Sequence, residues 1–242
     1  MRHCVKHVRY YGFKETLVEA LPFLREMLTR NEQKQEDFEA FDAQFGTDTA
    51  EEVWPWELPS VGKYRRDMHV YQTLAASTIN NIIGELPIAH DRFTFIDLGS
   101  GKGRALLVAS IYPFRKIVGV EVADELHQIA LKNIDTYAAA NKSQSIQKCQ
   151  SIVAVRGDAT QYEFPQGPLV VFMYSPFGKA TLTKVIDGLG RSYDAEPRKI
   201  ILVYANPQFD SILQCAPFLR RMPSTQSISL YETLDCYKLA SP

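Results

Sequence analysis

A glycine-rich segment, Asp97-Leu-Gly-Ser-Gly-Lys-Gly103, contains the residues whose types and spacing point most clearly to ligand chemistry. It follows the apolar run FTFID and precedes a helical stretch that begins near Ala105, so it forms the turn between a strand and a helix. Glycines in such a turn let the backbone approach a ligand closely, because they carry no side chain. The segment therefore predicts a site for a nucleotide-like ligand.

Three ligand types compete for this turn: a nucleoside triphosphate, a dinucleotide and S-adenosylmethionine. A phosphate loop is excluded because no glycine lies five residues before Gly101, and because Gly103 rather than Ser or Thr follows Lys102. The dinucleotide fingerprint requires Gly or Ala at the position of Arg104. The Asp97 carboxylate is unfavourable beside a pyrophosphate but suits a ligand with an ammonium and a sulfonium group. These residues favour S-adenosylmethionine.

Two further acidic residues follow later predicted strands. Glu121 ends the run IVGVE, 18 residues after Gly103, where a carboxylate can accept both hydroxyl groups of a ribose. Asp158 follows the run IVAVR within Gly157-Asp-Ala-Thr160, although Gly-Asp is also a common turn sequence. Because they occur in order after successive strands, ligand contact is favoured over solvated charges at strand ends.

Taken in order, these residues resemble the motifs of class I, Rossmann-like S-adenosylmethionine-dependent methyltransferases over roughly residues 68–240. The run from Phe95 to Arg104, with Glu121 beyond it, looks like the branch that contains histone-type and mitochondrial protein lysine methyltransferases. The stretch from Phe41 to Thr49 resembles one found in uncharacterised bacterial methyltransferases, which suggests either a lid or a packed N-terminal arm. The resemblance implies S-adenosyl-L-methionine as the cofactor, with no metal.

The resemblance also assigns roles to individual residues. It places the glycine segment against the amino-acid part of the cofactor, Glu121 on the ribose and Val122 beside the adenine. Asp158 would bind the adenine amino group, and the Ala159 amide a ring nitrogen. The predicted cofactor-binding residues are Tyr71, Asp97, Gly99, Ser100, Gly101, Gly103, Glu121, Val122, Asp158 and Ala159.

The segment Tyr174-Ser-Pro-Phe177 ends the fourth predicted strand, where amino-methylating relatives carry Asn or Asp followed by prolines and an aromatic residue. There the polar side chain and a carbonyl group align the target amine with the methyl group. Ser175 stands where these relatives usually carry Asn. Its hydroxyl group is a shorter hydrogen-bond acceptor than the Asn side chain. The predicted catalytic residues are Tyr174, Ser175, Pro176 and Phe177. His69 and Tyr71 are further candidates for a base. The competing interpretation of His69 is a structural role, which is the commoner one for a lone histidine.

The elements that must position these residues alternate between strand and helix. Apolar runs predict strands at residues 93–97, 117–121, 152–156, 168–174 and 199–205, and the residues ISLYETLDCYKLA predict late strands. Helices are expected at 15–30, 71–86, 103–111, 124–140 and 178–190, and a short helical start capped at Thr49. The predicted fold is a three-layer α/β, Rossmann-like, seven-stranded and mainly parallel sheet with an antiparallel last strand.

Length and composition set limits on the rest. The 242 residues suit an N-terminal helical arm or lid over residues 1–67 and a methyltransferase domain over residues 68–242. With a net charge of −1, four dispersed cysteines and no long apolar stretch, we expect a cytoplasmic protein without a membrane or nucleic-acid partner. The expected activity is methyl transfer to a nitrogen of a protein lysine or a small molecule. The alternatives are a catalytically silent binding or interaction module and a nicotinamide oxidoreductase.

Overall fold

The strands follow the buried apolar runs of the sequence. The computed structural model describes residues 32–65, 67–142, 146–225 and 227–234, so the predicted helix at 15–30 lies outside the described residues. Apolar side chains alternate between the two faces of each strand, which lets both faces be covered. The strands are β1 Thr94–Leu98, β2 Lys116–Glu121, β3 Ile152–Arg156, β4 Leu169–Tyr174, β5 Ile200–Ala205, β6 Leu219–Met222 and β7 Ile228–Thr233.

The strands pair in the order β3-β2-β1-β4-β5-β7-β6. Strands β1 to β5 are parallel, and β7 is antiparallel to both β5 and β6. This topology confirms the predicted mainly parallel sheet with an antiparallel last strand. The chain crosses from one half of the sheet to the other after β3, so the carboxyl ends of β1 and β4 lie side by side, where ligands bind in open α/β sheets.

Helices cover both faces of the sheet. Phe95 and Phe172 face a core formed with the first four helices, whereas Ile96 and Val171 face a core formed with the last two. No helix in the described part of the chain is long and apolar enough to cross a membrane. The helices are α1 Glu32–Phe45, α2 Ala76–Gly84, α3 Arg104–Ala109, α4 Asp124–Asn141, α5 Lys179–Ala195 and α6 Asp210–Gln214.

Three local predictions were wrong or incomplete. Helix α1 was missed because its sequence is mostly polar. The helix expected from residue 71 begins at Ala76, because Tyr71 instead exchanges both backbone hydrogen bonds with Val53. No helix begins at Thr49 in the described chain, since its amide and hydroxyl groups both donate to the Asp42 carboxylate, at 2.7 and 2.6 Å. Instead, 3-10 helices follow at Pro55–Glu57 and Pro59–Tyr64.

Candidate functional site

The glycine segment forms a tight turn at the carboxyl end of β1. Gly99, Gly101 and Gly103 have φ angles of 78°, 52° and 89°, in the left-handed region that favours glycine. The Gly99 and Ser100 amides donate to the Val120 carbonyl group, which fastens the turn to β2. Gly103 is the N-cap of α3. The turn thus places backbone rather than side chains at the carboxyl end of β1.

Two other parts of the chain lie directly against this turn. A Cβ atom at Gly101 would lie 2.0 Å from the Tyr71 ring, and one at Gly99 would lie 2.4 Å from the Pro176 Cβ. The structure therefore brings together three predicted site segments that are far apart in sequence. Burial raises the pKa of Tyr71, whose hydroxyl group donates to the Thr49 carbonyl group at 2.8 Å.

Asp97 and Glu121 are both buried beneath the turn. The Glu121 carboxylate accepts hydrogen bonds from the Gly101 and Ala123 amides, each at 2.8 Å, and desolvation raises its pKa. No described residue donates a hydrogen bond to Asp97, and burial together with the Glu121 charge raises its pKa to about 8. A buried carboxyl group with no donor suits a cationic group of a ligand, as the ammonium of S-adenosylmethionine provides.

A cleft opens beside the turn. A second space adjoins it and reaches Asp97 and Ser100. The cleft brings together predicted cofactor and acceptor residues. Those that line it are Tyr71, Gly99, Glu121, Val122, Ala159, Tyr174, Pro176 and Phe177.

Ser175 and Asp158 are not among the residues that line the cleft. Ser175 is buried with a φ of 40°, and its side chain contacts Tyr204, whose pKa is raised mainly by burial and lowered by the serine. The Asp158 Oδ1 accepts hydrogen bonds from the Thr160 amide and hydroxyl groups, at 2.9 and 2.8 Å. The Ser175 side chain thus packs against Tyr204, and the roles of Ser175 and of the second Asp158 oxygen in ligand binding stay predictions.

Sequence reasoning gave no role to two cations beside the glycines, Lys102 and Arg104, which are only 2% and 1% exposed. Lys102 pairs with Asp48 at 2.7 Å. Arg104 donates to the Thr49 hydroxyl at 2.6 Å and to the Phe38 carbonyl group at 2.7 Å. We term residues 42–50 the clamp segment. The signal that could have indicated this contact is the opposite charge of Lys102 and Arg104 and of the acidic residues in the clamp segment.

The clamp segment is held from a second side by Asn133 of α4. Its side-chain amide donates to the backbone carbonyl groups of Asp48 and Lys102, at 2.8 and 2.9 Å, and its oxygen accepts from the Asp48 amide. Asp42 lies 3.4 Å from Arg104 in the same network. A segment that precedes the sheet is thus fastened to the glycine turn and to α4.

Comparisons with known proteins agree with this geometry. The family model for "Histone methylation protein DOT1" matches residues 61–165, which contain the glycine turn, Glu121 and Asp158 but not the loop after β4. No curated protein matches the sequence.

Among solved structures, the chain is similar to one described as a predicted N6-adenine-specific DNA methylase from Listeria monocytogenes, with 12% identity and a TM-score of 0.50. That alignment covers 67% of this chain and 51% of the other, so the chain spans about half the length of that relative.

Two further structures match less closely. A SAM-dependent methyltransferase from Aquifex aeolicus shows 12% identity over 67% of this chain and 100% of the other, with a TM-score of 0.48. An RNA methyltransferase from Salinibacter ruber shows 16% identity over 64% and 89%, with a TM-score of 0.43. Since one of these similar structures is described as a DNA methylase, the expectation that nucleic acid is no partner gains no support.

Proposed function

We propose that this chain, which belongs by fold and family-model match to the class I, Rossmann-like S-adenosylmethionine-dependent methyltransferases, methylates a nitrogen acceptor, with a protein lysine as the leading substrate. When bound, the cofactor supplies an activated methyl group: the bond to sulfur breaks with its electron pair left on sulfur, while the lone pair of the acceptor forms the new bond to carbon. The protein's residues bind both partners and exclude water.

The cofactor assignment rests on the groups at the carboxyl ends of the strands. Asp97 would pair with the ammonium group, and the glycine turn would lie along the amino-acid part. Glu121 would exchange its bond from the Gly101 amide for the ribose hydroxyl groups. Val122 lines the cleft where the adenine would lie, and the second Asp158 oxygen would accept from its amino group.

The charge of the cleft carries the choice of acceptor. The acids that line it are Asp67 and Glu121, and none of the described lysines and arginines is among its lining residues. A cleft with negative charge attracts a cationic amine and repels the phosphates of a nucleic acid. Aromatic side chains of Tyr64, Tyr174 and Phe177 complete the wall at the acceptor end. An amine enclosed there is desolvated, which lowers its pKa and favours the neutral form that reacts.

The description of the matching family, histone methylation, supports a lysine in a protein over a small amine. The match ends before the loop after β4, so the acceptor class depends on the cleft rather than on this likeness. We therefore expect label from methyl-labelled S-adenosylmethionine to enter a lysine-rich peptide, and not the same peptide with its lysine amines blocked. Label entering only a DNA duplex, an RNA or a small amine would contradict the lysine assignment.

Cofactor binding is tested separately by calorimetric titration. S-adenosylhomocysteine should bind and NAD should not. Glu121→Gln should weaken S-adenosylhomocysteine binding by ~10–100-fold, since it replaces a charged hydrogen-bond acceptor by a neutral one. The matched control is Glu163→Gln, at an exposed glutamate outside the cleft lining, which should bind as the unaltered protein does. Tight NAD binding would refute the proposal, and cofactor binding without transfer to any acceptor would favour a silent binding module.

A further inference from the structure

His69 lies on a short extended segment that crosses the mouth of the cleft. Its neighbour Met68 forms an antiparallel bridge with Phe177, and the Asp67 carbonyl group accepts from the Gly178 amide at 2.9 Å. On the other side, Tyr71 is bridged to Val53. Because the segment is held at both ends, the position of the histidine among the residues that line the cleft is well defined.

The hydrogen bond of the imidazole fixes its tautomer. Nδ1 lies 2.7 Å from the Ser175 carbonyl oxygen. A carbonyl oxygen only accepts hydrogen bonds, so Nδ1 carries the proton and Nε2 of the neutral ring carries a lone pair. Nε2 has no hydrogen-bond partner among the described residues and is not among their buried unpaired atoms. It is therefore open to a group that enters the cleft.

The backbone at Ser175 explains how this carbonyl group is directed. Its φ of 40° lies in the left-handed region, which a non-glycine residue adopts at a cost of about 1–3 kcal/mol. The residues that follow immediately, Pro176 and Phe177, line the cleft. The strained residue thus joins the imidazole to the loop that lies against the glycine turn, as expected of a constrained functional site.

We propose that Nε2 of His69 is the base that takes a proton from the acceptor nitrogen, an inference that rests on the function proposed above. The N–H bond of the protonated amine breaks and leaves its electron pair on nitrogen, and the neutral amine so formed uses this pair to make the bond to the methyl carbon. The imidazole becomes an imidazolium and later returns the proton to solvent. Nδ1 keeps its own proton and its bond to Ser175 throughout.

The other titratable groups that line the cleft are less suited to this step. Asp67 accepts from the Thr181 amide at 3.2 Å, and Glu121 accepts from two backbone amides. The Tyr71 hydroxyl donates to Thr49, and burial raises the pKa of this phenol, so it keeps its proton. The imidazole is the one lining group whose type accepts and releases a proton near neutrality.

The variant His69→Asn separates a base from a structural link. The asparagine amide replaces the Nδ1 donor to Ser175 but supplies no basic nitrogen. We expect S-adenosylhomocysteine affinity within about twofold of the unaltered protein and kcat lower by ~10²–10⁴-fold. The decline of rate at low pH should disappear with the imidazole. His90→Gln is the control, because that histidine bonds the Ile83 carbonyl group far from the cleft, and its rate should be unchanged. Full kcat in His69→Asn would overturn the proposal.

A second measurement does not depend on transfer. Nitrogen-15 NMR of the unliganded protein should show His69 as the Nδ1–H tautomer, and the Nε2–H tautomer would overturn the proposal. If the unaltered protein transfers no label to any acceptor, the proposed function fails, and with it the role of His69. If the protein is active and His69→Asn equally so, only the assignment of the base is wrong.

Discussion

Asp97 is a buried carboxyl group whose negative charge is not stabilised by any hydrogen bond from the described residues. It is 5% exposed, receives no hydrogen bond from the described residues, and lies close enough to Glu121 for the two charges to repel. Its pKa of about 8 means that the empty site holds a proton at neutral pH, whereas an unfolded aspartate does not. A cationic ligand would reverse this, because pairing favours the charged form.

We therefore expect S-adenosylhomocysteine binding to release a proton below pH 8. Affinity should rise with pH, by at most tenfold per unit, and level off above about 8. Calorimetry in buffers of different ionisation enthalpy measures the proton count directly. Asp97→Asn should bind weakly and with little pH dependence. Proton uptake by the unaltered protein would contradict the assignment.

The same residue affects folding with a definite sign. Because the folded pKa is raised, the contribution of Asp97 to stability is present below about pH 4 and is lost as pH rises through about 8. At pH 9 the unliganded Asp97→Asn variant should thus exceed the unaltered protein in free energy of unfolding, by ~2 kcal/mol. Urea denaturation of both proteins at pH 5 and pH 9 measures this difference. If Asp97→Asn were no more stable than the unaltered protein at pH 9, the result would count against a buried charge at Asp97.

At the scale of elements, the glycine turn and the clamp segment stabilise each other. Arg104, at the start of α3, lies over the Phe38 and Phe41 rings of α1 and bonds the clamp segment at Thr49. Phe41 and Phe45 in turn pack on Tyr137 of α4. One buried guanidinium therefore links three helices to the cofactor turn.

Replacing this guanidinium should be costly. Arg104→Met retains much of the volume but leaves the Thr49 hydroxyl and the Phe38 carbonyl group without this donor and Asp42 without its paired cation, so the free energy of unfolding should fall by about 3 kcal/mol. Arg156→Lys is the control, because Arg156 and its partner Asp124 are 54% and 42% exposed, and such pairs contribute less than about 1 kcal/mol. Chemical denaturation of both variants tests this, and similar losses would mean that the buried network contributes little.

The sequence predicts the elements better than the contacts between them. Strands β1, β2, β4 and β5 are continuous apolar runs, which burial on both faces requires, whereas the edge strand β3 is only partly buried. Strand β6 was missed because LRRM is short and has two exposed arginines, so its pairing with β7 defines it. Helix α1 depends on aromatic contacts about 90 residues away in the sequence. Likewise, the sequence places Ser175 in the loop after β4, but its left-handed backbone follows from tertiary packing.

At the scale of the whole molecule, the candidate site is built from residues that precede the sheet as well as from the sheet itself. The sheet supplies the glycine turn, the acids and the loop after β4, while residues before the sheet supply the clamp segment, His69 and Tyr71. The boundary proposed at residue 67 therefore divides the sequence but not the site. Residues of the arm and residues of the sheet together form the candidate cofactor site.

The bonds from Lys102, Arg104 and Tyr71 to the clamp segment have a thermodynamic consequence. If the turn must be ordered to hold a ligand, ligand binding and docking of the clamp segment on the turn are coupled. Each then raises the equilibrium constant of the other by the same factor. The Thr49 and Ala50 amides, which both donate to Asp42, should exchange their hydrogens for deuterium more slowly when S-adenosylhomocysteine saturates the protein. Any mutation that speeds their exchange through opening of the segment should then weaken ligand binding equally, and unchanged exchange on saturation would show that the two are independent.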